Sequence, residues 1–501
     1  MTFDSPLLSP TTADLPVLPA ARIAGRDLHA CDAASRSAIC NAATGATIAW
    51  QETASAAQID EAVRAARASF EAWRATAPAL RGAILRKVAE CVEAQRAHLV
   101  ELQMRVSGKP RVEAETDVSD VAATFTYYAG LCNEAATFSA EAVVVADATV
   151  AAERFYDPVG VAALIVPWNF PMVTSAWKIA PALAAGCTVV LKPSELTSPA
   201  EHALVELLAQ AGVPAGVVNV VNGGAEVGAR LTTHPLVDKI SFTGSTAAGR
   251  HVMRAAADDM KRLTLELGGK SALIVREDAD VDLAVSLAVG GAFANAGQMC
   301  SATARILVHD RLYRKFMAAF ETAVRALVVA PPQTSDATMG PLISRAHRMR
   351  VQALVERGLE TGARVAFHGQ IAAQADDGFF MAPVVVAEPP VDNALWTDEV
   401  FGPVACVKSF RSDDDAIALA NDTRYGLVAT VVTQCEEMAR RYRQQLRTGL
   451  VWHNRPQLIF AQASWGGFGL SGIGRELGLA GLRSYQEMRH AIAPAARHQG
   501  R

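Results

Sequence analysis

Two short segments of the chain contain residue types that could together perform covalent catalysis. Cys300 lies in FANAGQMCSA (293–302), where small neighbours would leave its thiol accessible as a nucleophile. Glu266 lies upstream in LELGGK (265–270), where its carboxylate could act as the general base. A free cysteine is more often a small buried apolar residue, and this is the interpretation for the chain's other cysteines. The two segments predict a thiol nucleophile that works with a carboxylate base.

Both segments resemble those of the NAD(P)-dependent aldehyde dehydrogenase superfamily, and the resemblance extends from about residue 20 to about residue 490. It implies that the Cys300 thiolate attacks an aldehyde, that the thiohemiacetal gives a hydride to NAD, and that Glu266 activates the water that hydrolyses the thioester. A CoA-acylating semialdehyde dehydrogenase is disfavoured, because that group usually lacks this glutamate. A non-catalytic binding protein that kept the fold would be expected to lose Cys300 or Glu266, and both are present.

Carbonyl chemistry also needs a hydrogen-bond donor where negative charge develops on the oxygen. Asn169 lies in the rigid turn PWNFP (167–171), and it could be that donor or a structural turn asparagine. The resemblance assigns Asn169, with the backbone N–H of Cys300, to the oxyanion hole. It also places Lys178 and Glu476 on a proton path from the base to solvent, with a surface ion pair as the alternative.

A glycine turn joins a predicted strand to a predicted helix in FTGSTAAG (242–249), where the backbone could approach a phosphate at the helix N-terminus. The spacing is not G-x-G-x-x-G, so a helix N-terminus capped by Ser245 or Thr246 is the alternative. The resemblance favours a dinucleotide site that binds NAD. It implies cofactor contacts by Trp168, Lys192, Ser194, Glu195, Phe242, Gly244, Ser245, Gly249, Glu399 and Phe401.

Glu195 bears on the choice between NAD and NADP. In the family, the residues that match Lys192 and Glu195 hold the adenosine ribose hydroxyls, and a carboxylate there accepts from a 2′-OH and repels a 2′-phosphate. We therefore expect a preference for NAD, with NADP tolerance left open. A carboxylate that only favours a helix dipole is the alternative role for Glu195. Glu399 and Phe401 match the family's contacts to the nicotinamide ribose and ring, where the residues alone would indicate a turn.

Within the superfamily, the chain is most similar to the betaine aldehyde and aminoaldehyde dehydrogenase branch, and the matching segments are KPSEL (192–196), GQMCSATAR (297–305) and ASWGG (463–467). That branch holds a cationic amine in an aromatic box. The box positions are matched by Trp168, Trp465 and one of Tyr127 or Tyr128. Ala294 stands where the plant members place a tryptophan, and Leu450 and Ile459 add bulk near the predicted pocket. A neutral aliphatic or aromatic aldehyde is the alternative substrate.

Composition disfavours several other function classes. The 501 residues are 51% hydrophobic and 20% charged with a net charge of −4, which predicts a soluble globular protein. The sequence has no long basic run, which argues against nucleic acid as the main partner. The charge-free apolar stretch 283–294 is too short to span a membrane. The beginning of the chain has no secretory signal pattern. The eight cysteines show no metal-binding spacing, so we expect no metal and a cytoplasmic protein.

Periodicity predicts the order of the elements. Ser55 and Gln58 form a capping-box pattern at the start of one helix, and a second helical pattern covers 81–104. Strand and helix patterns then alternate, which predicts an α/β fold with a Rossmann-like parallel-sheet cofactor domain and a second α/β catalytic domain. The resemblance adds a small β arm that pairs between subunits of a homodimer or homotetramer. The predicted boundaries are 1–134 and 158–264 for the NAD-binding domain, 265–466 for the catalytic domain, and 135–157 and 467–501 for the oligomerisation arm and C-terminal strand.

Overall fold

The computed structural model describes residues 15–30, 35–372 and 378–495; residues 1–14, Cys31 and residues 496–501 therefore lie outside the described part of the predicted domains. The described strands are β1 (Val17–Leu18), β2 (Ala21–Ile23), β3 (Arg26–Leu28), β4 (Arg36–Cys40), β5 (Thr47–Glu52), β6 (Glu141–Val143), β7 (Val150–Pro158), β8 (Val161–Ile165), β9 (Thr188–Lys192), β10 (Val218–Val221), β11 (Lys239–Thr243), β12 (Arg262–Glu266), β13 (Ala272–Val275), β14 (Arg305–His309), β15 (Arg364–His368), β16 (Val384–Ala387), β17 (Val404–Phe410), β18 (Val428–Val432), β19 (Leu450–His453), β20 (Gly472–Ile473) and β21 (Gln486–Pro494). The described α-helices are α1 (Ala56–Arg74), α2 (Pro78–Ala94), α3 (Arg96–Ser107), α4 (Arg111–Asn133), α5 (Ala135–Phe138), α6 (Pro171–Ala185), α7 (Ser198–Gln210), α8 (Ala225–Thr232), α9 (Thr246–Ala257), α10 (Val281–Phe293), α11 (Asp310–Arg325), α12 (Arg345–Glu360), α13 (Ala394–Thr397), α14 (Asp413–Asn421), α15 (Glu436–Gln445) and α16 (Gly478–Arg483).

Two large sheets form the frame of the molecule. The first has the order β20-β12-β11-β8-β9-β10-β2-β3, and its central strands from β12 to β10 run parallel with helices connecting them in sequence. The second has the order β15-β16-β17-β14-β13-β18-β19 and is parallel except at the edge strand β15. Parallel strands need such crossover connections. The two sheets confirm the predicted α/β class.

Two smaller sheets complete the described strands. β7 pairs along its whole length with the C-terminal strand β21 and also pairs with β6, so the predicted hairpin and C-terminal strand form one antiparallel sheet. The hairpin is preceded by the short helix α5. β20 lies in the segment that was assigned to the arm, yet it pairs with β12 in the first large sheet. β1, β5 and β4 form the fourth sheet.

The early helices follow the sequence pattern with one difference. The Ser55 and Gln58 side chains each accept from the other residue's backbone N–H, so the predicted capping box is present at α1. The helical pattern predicted over 81–104 is two helices, because Gln95 leaves helical geometry with φ −103° and ψ 14°. The break re-aims the chain, and both α2 and α3 pack on α4. Periodicity alone continues across such a break, which is why the sequence did not reveal it.

The carboxyl ends of the first sheet's parallel strands lie along one edge, where ligands bind in folds of this type. The turn with Asn169 follows β8, and Lys192 ends β9. The glycine turn at Gly244 follows β11, and Glu266 ends β12. The strand order therefore brings four predicted site segments to a common edge.

Candidate active site

A cavity of about 780 Å³ lies between this edge and the loop that carries Cys300. Its lining includes the predicted catalytic residues Asn169, Glu266, Cys300 and Glu476, whereas Lys178 lies outside it. It also includes the predicted substrate-pocket residue Trp465 and part of the predicted cofactor set, which is Trp168, Gly244, Ser245, Glu399 and Phe401. A cavity of this size suits a small molecule and part of a cofactor.

Cys300 lies half-buried in a turn just after α10. Burial raises the pKa of its thiol, and the carboxyls of Glu399 and Glu266 raise it further. The thiol is therefore neutral until a base or a bound cation changes its surroundings. A side chain at Gly269 would come within 2.3 Å of the Cys300 carbonyl oxygen, so the glycine allows the base segment to lie directly against the nucleophile.

Asn169 is buried and contacts the same loop. Its Nδ2 donates to the Gln298 carbonyl at 2.9 Å, and its own carbonyl accepts from Asn295 Nδ2 at 3.1 Å. The structure thus brings Asn169 and the Cys300 loop together, as predicted. One bond holds the Asn169 side chain and the other holds its backbone, so the amide group has a fixed position in the cavity wall.

Glu266 is buried, and neither of its carboxylate oxygens has a hydrogen-bond partner among the described residues. Burial raises its pKa well above the ordinary value, and Glu476 raises it further while Lys178 lowers it. A carboxyl with a raised pKa is a stronger base when ionised. Gly466, with φ 145°, leaves room beside it, because a Cβ there would lie 2.7 Å from Glu266 Oε1.

Lys178 and Glu476 form an ion pair, but the pair is buried rather than exposed. The alternative of a surface ion pair is therefore wrong. The Ser241 hydroxyl donates to Glu476 Oε1 at 2.9 Å, and Lys178 Nζ donates to Ser241 Oγ at 3.1 Å. The second oxygen of Glu476 is buried without a partner among the described residues. The two residues are 298 positions apart in the chain, so their burial could not be read from local sequence.

The glycine turn after β11 fits a phosphate group. The Ser245 side chain accepts from the Ala248 N–H and caps α9. A Cβ at Gly244 would lie 2.6 Å from the Phe242 ring, and one at Gly249 would lie 2.5 Å from Leu267. Ser245 and Ala247 in the first turn are exposed, so the N-terminus of α9 is accessible to an anion.

The predicted adenosine contacts lie at the end of β9, outside the cavity lining. Lys192 is buried, its Nζ donates to the Pro193 carbonyl at 2.8 Å, and it lies 3.8 Å from Glu195 Oε2. Burial lowers the pKa of Lys192, and the neighbouring carboxylate raises it. Ser194 is buried and accepts from the Leu196 N–H. Glu195 is the most exposed of the three, which leaves its carboxylate available to a ribose hydroxyl.

The predicted nicotinamide contacts do line the cavity. Glu399 accepts from the Gly269 N–H at 3.0 Å, and burial raises its pKa to about 7. Phe401 has a left-handed backbone with φ 59°, and its carbonyl accepts from His347 Nε2 at 2.7 Å. The Trp168 ring packs edge-on against Phe401 at 5.3 Å. These contacts form one wall of aromatic and carboxylate groups.

The substrate side has a different aromatic set from the one expected. Tyr128 is fully buried and its hydroxyl donates to the Gly478 carbonyl, while Tyr127 packs on Tyr128 with ring centroids 5.1 Å apart. Neither tyrosine lines the cavity, so both are wrong as box residues. Phe170 and Trp177 line it with Trp465, and the two tryptophan rings lie 5.4 Å apart.

One face of α4 brings acidic residues into the same cavity. Glu113, Asp117 and Asp120 line it at helical spacing. Asp117 accepts from Lys109 Nζ at 2.6 Å, and Lys109 also lies 3.6 Å from the centre of the Phe170 ring. Burial raises the pKa of Asp120 to about 7; Asp117 raises it further and Lys109 lowers it. Three carboxyls thus share a wall with one paired lysine.

Comparisons with known proteins agree with this geometry. Residues 30–491 match the profile of the Aldehyde dehydrogenase family. The chain belongs to the aldehyde dehydrogenase family. It is 40% identical over 458 residues to betaine aldehyde dehydrogenase 1 of Oryza sativa subsp. japonica, covering 89% of this chain and 90% of that protein. It is 39% identical over 454 residues to aminoaldehyde dehydrogenase 2 of Zea mays, covering 89% and 90%. The crystal structure of betaine aldehyde dehydrogenase from Staphylococcus aureus in complex with NAD+ superposes with a TM-score of 0.91 at 34% identity, covering 95% of this chain and 94% of that one.

In this aldehyde dehydrogenase, sequence reasoning missed residues whose positions had a visible signal. Phe170 directly follows Asn169. Trp177 lies two helical turns after Phe170, on the fully buried helix α6. The acidic positions 113, 117 and 120 also follow helical spacing on α4. Ala294 and Ile459 line the cavity as expected, whereas Leu450 packs against the core and is not in the lining.

Proposed function

We propose that this aldehyde dehydrogenase oxidises a cationic aldehyde of the betaine aldehyde or aminoaldehyde class to the carboxylic acid, with NAD as the hydride acceptor. The observation that carries the proposal is the acidic face of α4, which shares a cavity with Cys300 and with the rings of Phe170, Trp177 and Trp465. Carboxylates and ring faces both attract an ammonium group. Two of the named relatives carry these two substrate classes in their names.

The basic residues in the lining do not cancel this acidity. Lys109 is paired with Asp117, and Arg350 donates to the Val400 carbonyl. Arg455 is exposed. The buried part of the wall therefore keeps an excess of carboxyl groups, which favours a cation over a neutral group of the same shape.

In the proposed reaction, the Glu266 carboxylate takes the proton of the Cys300 thiol and passes it on toward Glu476. The sulfur then attacks the aldehyde carbon to form a thiohemiacetal. Asn169 Nδ2 and the Cys300 N–H donate to the oxygen as it becomes negative. NAD, when bound, supplies the hydride acceptor that converts this adduct into a thioester. Glu266 then takes a proton from water, which attacks the thioester and releases the acid. Glu266 is assigned the base because it is buried, unpartnered and within the same cavity.

We propose that Lys178 and Glu476 carry the proton onward from Glu266. The charge of Glu476 raises the Glu266 pKa, so the two carboxyls already interact. The unpartnered oxygen of Glu476 can accept a proton, and its other oxygen contacts Lys178 and Ser241. The buried ion pair would hold Glu476 in position for this transfer.

We propose that the turn 242–249 holds the NAD phosphates, with Lys192, Ser194 and Glu195 at the adenosine ribose and Glu399 and Phe401 at the nicotinamide end. The exposed first turn of α9, at Ser245 and Ala247, supports the first assignment. The half-exposed Glu195 carboxylate supports the second, and the positions of Glu399 and Phe401 in the cavity support the third. Trp168 packs on Phe401 and would complete the wall beside the nicotinamide.

Glu195→Gln is expected to weaken the preference for NAD over NADP. The parent should use NAD with the higher kcat/KM, because the carboxylate repels a 2′-phosphate. Removing one charge changes the ratio of the two kcat/KM values by roughly tenfold, which corresponds to about 1.4 kcal/mol. Equal kcat/KM values for NAD and NADP in the parent would contradict the preference, and an unchanged ratio in the variant would contradict the role of Glu195.

Asp120→Asn is expected to raise the KM for betaine aldehyde by about tenfold, because the variant loses the Coulombic attraction between the carboxylate and the quaternary ammonium, and tenfold corresponds to about 1.4 kcal/mol. The KM for 3,3-dimethylbutanal, its neutral isostere, should change by less than about twofold. Glu115→Gln, an exposed glutamate on the same helix, is the control. Equal losses for both aldehydes would indicate that Asp120 serves only packing and would favour the neutral-aldehyde alternative.

The same carboxyl predicts a pH dependence. Burial raises the Asp120 pKa to about 7, so the group is neutral below that pH and ionised above it. Because only the ionised form attracts an ammonium group, the KM for betaine aldehyde should fall as the pH rises through about 7. The KM for 3,3-dimethylbutanal should show no such step. If the KM of the parent for betaine aldehyde does not change across this pH range, Asp120 is not the partner of the ammonium group.

A neutral aldehyde remains the second candidate substrate, and Ala294 favours it. This small residue lines the cavity at a position where a tryptophan would add an aromatic ring to the wall. Leu283, Leu287 and Ile459 add apolar surface nearby. We therefore expect looser selectivity than a fully aromatic box would give. The ratio of kcat/KM for betaine aldehyde to that for 3,3-dimethylbutanal decides between the two candidates.

We propose the domain organisation predicted above, except that β20 belongs to the first large sheet. We also propose a homo-oligomeric assembly, either dimeric or tetrameric, in which the β6-β7-β21 sheet pairs with another subunit. Val144, Met488 and Ile492 expose apolar side chains on or beside this sheet, which supports an interface there. Light scattering is expected to give a dimer or tetramer, and a monomeric parent at micromolar concentration would contradict the proposal. We further propose a cytoplasmic location, supported by free thiols at every described cysteine. No helix among the described residues is long and apolar enough to cross a membrane.

A further inference from the structure

Three consecutive residues before the nucleophile have left-handed backbone conformations. The φ values are 50° at Asn295, 54° at Ala296 and 72° at Gly297. Glycine adopts this region readily, but the other two residues do so only where their surroundings hold them. This turn leads directly to Cys300. Whatever holds the turn therefore decides where the nucleophile lies.

Hydrogen bonds within the loop and to Asn169 hold several polar groups of the turn. Asn295 Nδ2 donates to the Asn169 carbonyl at 3.1 Å, and Gln298 Nε2 donates to the Asn295 carbonyl at 2.9 Å. Asn169 Nδ2 donates to the Gln298 carbonyl. The backbone N–H of Asn295 has its acceptor outside the loop.

Glu113 on α4 provides that acceptor. Its Oε1 accepts from the Asn295 N–H at 2.9 Å. Its Oε2 is buried and has no hydrogen-bond partner in the part of the chain that the structure describes. Burial raises the pKa of Glu113 to about 7, and it lines the cavity on the same helix face as Asp117 and Asp120. One carboxyl therefore contacts the nucleophile loop and belongs to the acidic face.

We propose that Glu113 is a positioning residue that fixes the Cys300 loop from the substrate-binding helix. One oxygen holds the Asn295 N–H, and the other responds to the bound amine, a part that rests on the proposed function. A cation beside Asp117 and Asp120 favours the ionised form of Glu113, and an ionised carboxylate is the stronger hydrogen-bond acceptor. Binding of the amine thus tightens the turn that presents the nucleophile.

Three variants separate the length of the Glu113 side chain from its charge. E113L removes the acceptor, E113D keeps the charge but shortens the side chain, and E113Q keeps the acceptor without the charge. With 3,3-dimethylbutanal we expect the rate of the first NADH burst to fall at least about tenfold in E113L and E113D and to stay within about threefold of the parent in E113Q. The KM for NAD should change by less than about twofold in all three, because the cofactor contacts lie elsewhere. With betaine aldehyde, E113Q should also lose about tenfold in burst rate relative to the parent at subsaturating aldehyde.

E115Q is the matched control, because Glu115 is exposed on another face of α4 and should leave the burst rate unchanged. A parental burst rate in folded E113L or E113D overturns the proposal, and so does a loss in E113Q with the neutral aldehyde as large as that in E113D. If E113L does not fold, E113D against E113Q gives the same decision. Equal kcat/KM of the parent for both aldehydes would contradict the proposed substrate class alone, because the neutral-aldehyde comparison does not depend on it.

Discussion

Cys300→Ala is expected to abolish aldehyde oxidation while NAD binding survives. The cavity lining contains no second cysteine, so covalent capture of the aldehyde has no substitute nucleophile among the described residues. We expect kcat to fall by at least about a thousandfold, since each ~1.4 kcal/mol of barrier is a factor of ten. The measurements are steady-state NADH formation and the quenching of protein fluorescence by NAD.

Cys91→Ala is the matched control for this variant. Cys91 is a half-buried free thiol on α2, outside the cavity lining, and its loss should leave turnover near that of the parent. If folded Cys300→Ala protein turns over at a near-normal rate, Cys300 is not the nucleophile. Loss of NAD binding in the same variant would instead indicate that the substitution disturbs the adjoining glycine segment.

Glu266→Gln is expected to let the acyl-enzyme form and then stall. The amide keeps the shape of the side chain but cannot take a proton from water, so hydrolysis of the thioester slows by roughly 10²–10⁴-fold. Rapid mixing should show a burst of NADH close to one equivalent per site, followed by a slow steady rate. Mass spectrometry of the quenched protein should find the acyl group on the peptide that contains Cys300.

Glu201→Gln provides a strict comparison for that experiment. Glu201 is also fully buried with two oxygens that lack partners among the described residues, but it lies outside the cavity lining. At saturating NAD its ratio of burst to steady rate should match the parent. A parental steady rate in Glu266→Gln would show that another group activates the water.

The strands of the first sheet could be predicted because the residue patterns that indicate them are local in the sequence. β8 is a short run in which every residue is buried, and it is followed by prolines that end it. β9 is likewise fully buried and is followed by Pro193, whereas Gly244 follows β11 and Gly268 lies two residues after β12. These local proline and glycine signals allowed the turns that carry the site residues to be predicted. The order of strands within the sheet then placed Asn169 and Glu266 near the Cys300 loop.

The residues of the cavity wall were harder to predict from the sequence, because they depend on how each helix is rotated about its axis in the fold. Tyr127 and Tyr128 are neighbours on α4, and sequence cannot tell that the cavity meets the face of Glu113 and Asp120 instead. The burial of the Lys178–Glu476 pair depends on bringing α6 against a distant C-terminal segment. Such contacts follow from packing between elements and leave little trace in local periodicity.

The two glycines after Glu266 leave almost no clearance between three parts of the machinery. A Cβ at Gly268 would lie 2.1 Å from the Glu399 carboxylate, and one at Gly269 would lie 2.3 Å from the Cys300 carbonyl. The segment after Glu266 is therefore closely packed against Glu399 and the Cys300 loop. A larger residue at Gly268 or Gly269 would push these parts away from one another. Side chains that face the open cavity lie on the other walls, at α4, at residues 455–459 and at the aromatic rings, and changes there can alter the substrate range without moving these three parts. The geometry therefore separates a tightly packed catalytic region around Gly268 and Gly269 from an open substrate side with room for larger or smaller side chains.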